Sequence, residues 1–157
     1  MKLKKMVLIS LLVAVASILG YVESLFPSFF IPGVKLGLAN IVILFSLYHY
    51  KWYEAFLISI LRIVLVSLVL GSFMNISFYM SISGGILSFI LMLAISRFKV
   101  LSEVFVSVVG SLFHGLGQIA VAIIVMGSNE ALYYLPFIML LSIRLYNFNI
   151  LQSIIFY

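Results

Sequence analysis

"MKLKKMVLISLLVAVASILGYVES", residues 1–24, decides how the whole chain is read. A basic start leads into a long apolar run, and Ala14-Val15-Ala16 imitates a signal-peptide cleavage site. Two features favour a retained first helix instead. The apolar run continues through Ile18-Leu19-Gly20-Tyr21-Val22, and the chain beyond it has the same apolar composition, with no soluble domain to export. Over 157 residues the sequence is 66% hydrophobic and only 8% charged, with a mean hydropathy of +1.36. That leaves too few polar residues to cover a soluble domain. Nearly uncharged stretches of about 18 or more residues recur, as transmembrane helices require. They are continuous and do not alternate with period two, which argues against a β-barrel. The expectation is an all-α polytopic membrane protein with a single integral membrane domain.

Punctuation along the chain predicts six spans, at roughly 5–24, 34–50, 53–71, 77–96, 101–126 and 131–155. Pro27 to Gly33 separates the first two spans. Tyr48-His49-Tyr50-Lys51-Trp52-Tyr53 separates the next pair, followed by Gly71 to Asn75, Arg97-Phe98-Lys99 and Gly127-Ser128-Asn129-Glu130. With a cytoplasmic N-terminus, the inner loops and ends hold Lys2, Lys4, Lys5, Lys51, Arg97 and Lys99, and the outer side holds only Lys35. This is the positive-inside asymmetry, and an even span count places both termini in the cytoplasm. The net charge of +5 is thereby a topology signal, with no nucleic-acid partner implied. Tyr48, Tyr50, Trp52 and Tyr53 suit an inner interfacial belt. A multi-pass protein of a bacterial-type plasma membrane is expected.

Polar residues inside the spans are the candidate site. Glu23 closes the first span, Lys35 and Asn40 open the second, and Arg62 sits near the middle of the third. Ser81 and Ser83 enter the fourth just before Gly84-Gly85. His114 and Gln118 are four residues apart, Arg144 and Asn147 three apart, so each pair shares a helix face. An ionised side chain in the membrane core costs at least about 2.5–3.5 kcal/mol, so the arginines need partners or a wet cavity. One outward cavity collecting Glu23, Lys35, Asn40, Arg62, Ser83, His114, Gln118, Arg144 and Asn147 would be net positive, suiting an anionic or strongly polar solute, with Phe26, Phe29 and Phe30 closing over it. Plainer readings stand beside this one. Arg62 can pair with Glu23 or backbone carbonyls as structural glue. His114 and Gln118 can serve as interhelical hydrogen bonds. Lys35 can snorkel to headgroups. Glu54 and Glu103, at helix starts, read as helix-dipole placements. Small residues mark a further face: Ser10, Ala14, Ala16 and Gly20 permit close approach on the first helix, for internal packing or for docking another membrane protein.

Enzyme chemistry is not expected. The sequence has no cysteine, no aspartate and no Walker lysine motif, and four scattered glutamates do not form a Mg²⁺–diphosphate cluster. Two histidines on different helices at opposite depths do not make a metal site. No serine lies in a nucleophile elbow. No cofactor is implied, and binding and translocation remain.

The order of several motifs is informative at this point. Glu23-Ser24 is followed by Pro32-Gly33-Val34-Lys35-Leu36-Gly37-Leu38-Ala39-Asn40, Leu61-Arg62, Ser83-Gly84-Gly85 with Ser88, and Phe113-His114-Gly115-Leu116-Gly117-Gln118. Over nearly the whole chain this resembles the Gx transporter family, whose older label is heptaprenyl diphosphate synthase component I. That family looks like the substrate-binding S components of energy-coupling factor (ECF) transporters. The resemblance implies six helices, a vitamin-like solute taken from outside, and partners in a membrane scaffold subunit and two cytoplasmic ATPases. It also implies docking through a small-residue face of the first helix, where Ser10, Ala14, Ala16 and Gly20 stand in place of an Ala-xxx-Ala pattern. The older label implies an alternative, an accessory membrane subunit of an isoprenoid or quinone pathway. A stand-alone secondary transporter is a third class, for which six spans without repeats are few.

Overall fold

A computed structural model describes residues 2–25, 39–97 and 102–127. Within them the chain forms five helices: α1 (Lys2–Leu25), α2 (Asn40–His49), α3 (Trp52–Val69), α4 (Ile76–Ser96) and α5 (Glu103–Met126). Four segments, Leu3–Leu25, Trp52–Val69, Ile76–Ser96 and Phe105–Val125, are long and apolar enough to cross a membrane. They follow the predicted first, third, fourth and fifth spans closely. The second differs. Ala39 lies in a turn and α2 has ten residues, about 15 Å of helix against a hydrocarbon core of about 30 Å. The separator from Pro27 to Gly33, Lys35, the sixth span with Arg144 and Asn147, and the aromatics Phe26, Phe29 and Phe30 lie outside the described residues.

Local chemistry sets the helix ends. Glu54, at the third position of α3, accepts a hydrogen bond from the Lys51 backbone N–H at 3.2 Å, satisfying a donor that the helix start leaves open. The Ser102 hydroxyl accepts from the Phe105 N–H at 3.3 Å and caps α5. The α3 terminus is a Schellman turn: Ser72 N–H donates to Ser67 O and Gly71 N–H to Leu68 O, with Gly71 at φ 62°. Inside the helices, the hydroxyls of Ser17, Ser46, Ser67, Ser81 and Ser111 each donate to the carbonyl four residues back. A serine satisfied in this way by its own helix needs neither water nor a neighbouring element.

Two contacts fix the direction of α1 against α3. Lys5 Nζ lies 2.6 Å from Glu54 Oε1 near both helix starts, and Gly20 backs onto Val66 further along both. The two helices therefore run parallel, while α4 runs antiparallel to α5. Gly117 sits against the Gly84 backbone, and Gly110, nearer the start of α5, against Met92 and Ser88. Among the described glycines the least room for a side chain is at Gly84. A Cβ built there would lie 2.5 Å from the His114 carbonyl oxygen, and one on Gly117 would lie 2.8 Å from Gly84 Cα. Only glycine lets the two backbones meet in this way.

The interior divides by depth. Towards the end carrying Lys5 and Glu54, Val13, Ile43, Leu44, Ala55, Ile58, Phe89, Met92 and Val106 form a buried apolar cluster, with the Phe56 and Phe89 rings 5.2 Å apart. Towards the other end buried polar and ionisable side chains, among them Glu23, Arg62, His114 and Gln118, join the apolar ones.

Candidate functional site

Arg62 is the centre of that polar half. It lies on the inward face of α3 with Ile58, Ser59 and Val66, and only 5% of its surface is exposed. Its Nη2 donates to Asn40 Oδ1 at 3.2 Å. Asn40, the first residue of α2 and 1% exposed, in turn donates from Nδ2 to Ser88 Oγ on α4 at 3.2 Å. The amide orientation is dictated by chemistry: reversed, its NH₂ would face the donors of the guanidinium. One asparagine thereby links three helices through side chains alone. Arg62 Nε is buried and has no hydrogen-bond partner among the described residues.

Beside the guanidinium is a small cavity lined by Gly20, Glu23, Arg62, Ile63, Val66, Ser81 and His114. Counted out to its open side it holds ≈ 290 Å³ of empty space, but its interior leaves only ≈ 20 Å³ for the centre of a water-sized molecule. That is room for about one water. Glu23 lies at the far end of α1, buried, with its carboxylate within Coulombic reach of Arg62. Gly20, one turn earlier, brings α1 close enough for this, since a Cβ there would touch Val66 at 3.2 Å.

His114 and Gln118 are both buried on α5, with Gln118 Nε2 and His114 Nε2 3.1 Å apart. The contact is within one helix, at the i,i+4 spacing. With the Gln118 amide as donor, His114 Nε2 accepts, and the neutral ring then carries its proton on Nδ1.

Of the residues expected at the site, Glu23, Asn40, Arg62, His114 and Gln118 are all buried in the same half of the bundle. Lys35, Arg144 and Asn147 lie outside the described residues. Ser83 is half-buried and does not line this cavity; Ser81 does. The helical period explains the difference. Ser81, Gly84, Gly85 and Ser88 fall at i, i+3, i+4 and i+7 on one face, and Ser83 lies well off it. That spacing was the available signal for Ser81 and Ser88. The small residues of α1 separate by the same rule: Ser10 and Ala14 are exposed, whereas Ala16 and Gly20 are buried. Glu54 caps α3, as a helix-start carboxylate should, and also pairs with Lys5. Among the described residues no group of His, Asp and Glu is placed to hold a metal ion.

Fold and site together define an all-helical, membrane-type protein with ionisable side chains buried inside an apolar bundle. A family model described as heptaprenyl diphosphate synthase component I matches residues 12–152. The chain belongs to that family. No curated protein and no solved structure matches it.

Proposed function

We propose that the chain is a solute-binding membrane component of an ATP-driven uptake system, of the ECF S-component kind. The observation that carries this reading is the Arg62 guanidinium, buried mid-helix beside a cavity and held by an asparagine on a neighbouring helix. An ionisable group at that depth is a functional-site hypothesis by default, because a purely structural role is served more cheaply by apolar packing. In this proposal six spans place the cavity towards the outside. Lys35, Arg62 and Arg144 attract the polar part of the cargo, and Glu23, Asn40, Ser83, His114, Gln118 and Asn147 orient it. The 25–33 loop acts as a lid over the site. A scaffold subunit and two cytoplasmic ATPases supply the energy. On α1 the exposed Ser10 and Ala14 are available to the scaffold, while Ala16 and Gly20 serve internal packing.

The experiment is calorimetry on detergent-purified protein with a co-purified solute identified by native mass spectrometry. Arg62→Ala is expected to weaken binding at least tenfold, about 1.4 kcal/mol, while the variant still inserts in the membrane. Unchanged affinity removes Arg62 from the site.

A second reading rests on the family description itself, which names a component of a prenyl diphosphate synthase. In it the chain is an accessory membrane subunit. Affinity purification from native membranes separates the two: recovery of ATPase subunits supports transport, and recovery of a synthase without them refutes it.

A further inference from the structure

The end of the bundle opposite the Arg62 cavity carries a corner that neither functional reading uses. At the start of α3, Lys51 Nζ lies over the Tyr53 ring, 5.7 Å from its centroid, and the Trp52 ring meets Tyr53 edge-on at 6.0 Å. Lys5 on α1 stands beside them, within Coulombic reach of Tyr50 and Tyr53. The nearby carboxylate, Glu54, is committed inside the protein: it accepts from the Lys51 backbone N–H and pairs with Lys5. Lys5 and Glu54 cancel, and the Lys51 ammonium has no salt bridge among the described residues. Glu103, the other described acid at this end, lies near Tyr48 on α2. Glu130 follows Gly127, the cap at the far end of α5, by three positions in the sequence, too few to run back along the 24 residues of that helix.

An apolar track leads away from this corner. Tyr53, Leu57, Leu61, Leu65 and Leu68 follow one another at four- and three-residue steps on one face of α3, and each is 38–56% exposed. The track covers about 22 Å of helix, more than the depth of one leaflet's hydrocarbon, about 15 Å. A soluble anion would use Lys51 and gain nothing from the leucines, whereas an amphiphile uses both. Interfacial Trp and Tyr alone suit any headgroup; the uncompensated lysine among them adds a preference for charge. We propose that this corner binds an anionic phospholipid of the leaflet at the basic end. Its phosphodiester accepts from Lys51 Nζ and the Trp52 indole N–H, and an acyl chain lies along Tyr53, Leu57, Leu61 and Leu65. A zwitterionic lipid fits less well, because its own ammonium competes with Lys51 for the phosphate.

Trp52 is the single tryptophan of the chain, so its fluorescence reports on this corner without a label. The full chain is reconstituted in phosphatidylcholine vesicles containing equal fractions of phosphatidylglycerol or phosphatidylcholine brominated on the acyl chains, which quench a tryptophan they touch. Brominated phosphatidylglycerol is expected to occupy the site with about fivefold preference, the size one lysine near the surface supplies. Lys51→Gln is expected to bring the two lipids to parity; Lys51 caps α3 through its backbone, so the helix start survives the change. Arg97→Gln removes the same charge from the same end of the bundle, outside the corner, and is expected to leave the preference in place. Equal quenching in the unmodified protein, a preference that survives Lys51→Gln, or equal losses in the two variants overturns the proposal. Weak quenching by both lipids overturns it too, since another polypeptide then covers Trp52. The site is remote from the Arg62 cavity, so none of these outcomes bears on the solute-binding reading.

Discussion

At the scale of single residues, Asn40 matters more than its place near a helix start suggests. It accepts from Arg62 and donates to Ser88, so removing its amide strands a charged donor and a hydroxyl together. Asn40→Leu is expected to destabilise the protein by about 2–4 kcal/mol, since each stranded buried group costs about 1–3 kcal/mol. Ser88→Ala strands only the Asn40 NH₂ and is expected to cost about 1 kcal/mol. Thermal unfolding in detergent checks the order, and equal effects would mean that the two hydrogen bonds are not linked through Asn40. This relay was half legible in the sequence. Arg62 and Asn40 announced themselves because charge and amide are costly in an apolar span. Ser88 did not, because a serine can satisfy itself on its own helix, as Ser67 and Ser81 do here, and composition cannot say which serines look elsewhere.

At the scale of elements, helix lengths and ends were well marked, and helix faces were less so. Pro, Gly and the Lys–aromatic junctions set the boundaries of α1, α3, α4 and α5 within a few residues, because those residue types stop helices for local reasons. Which face of a helix touches which neighbour depends on register between elements, and the α1 small residues show the limit. Four of them form one list in the sequence, yet Ala16 and Gly20 face inward and Ser10 and Ala14 outward. The crossing of α4 and α5 gives the sharpest prediction at this scale. A Cβ on Gly117 meets Gly84 backbone atoms at 2.8–2.9 Å, whereas one on Gly20 meets a Val66 methyl at 3.2 Å. Backbone cannot yield as a methyl does, so Gly117→Ala is expected to cost about 1–3 kcal/mol and Gly20→Ala distinctly less. The same substitution displaces His114, one turn before Gly117, and should weaken solute binding along with stability. A Gly117→Ala protein with wild-type melting behaviour would show that the helices slide apart freely at this crossing.

At the scale of the whole molecule, charge and packing point the same way. The parallel α1–α3 pair and the antiparallel α4–α5 pair bring Lys4, Lys5, Lys51 and Arg97 to one end of the bundle. The opposite turn, residues 70–75, carries no charge. The apolar cluster lies on the basic side and the Arg62 cavity on the uncharged side. Under the positive-inside rule the basic end is expected in the cytoplasm, and the proposed uptake of an external solute requires the cavity to face outward. The Lys5–Glu54 pair contributes little to this, because water and salt screen an ion pair at the bundle's surface. The asymmetry of the lysines carries the argument. Because the chain has no cysteine, the orientation can be read from single replacements without a background. Lys4→Cys is expected to react with a membrane-impermeant maleimide only after the cells are opened. Met74→Cys, on an exposed residue of the uncharged turn that already sits at a positive φ of 63°, is expected to react on intact cells. The reverse pattern would place the Arg62 cavity on the cytoplasmic side, and a protein so oriented could not capture its solute from outside.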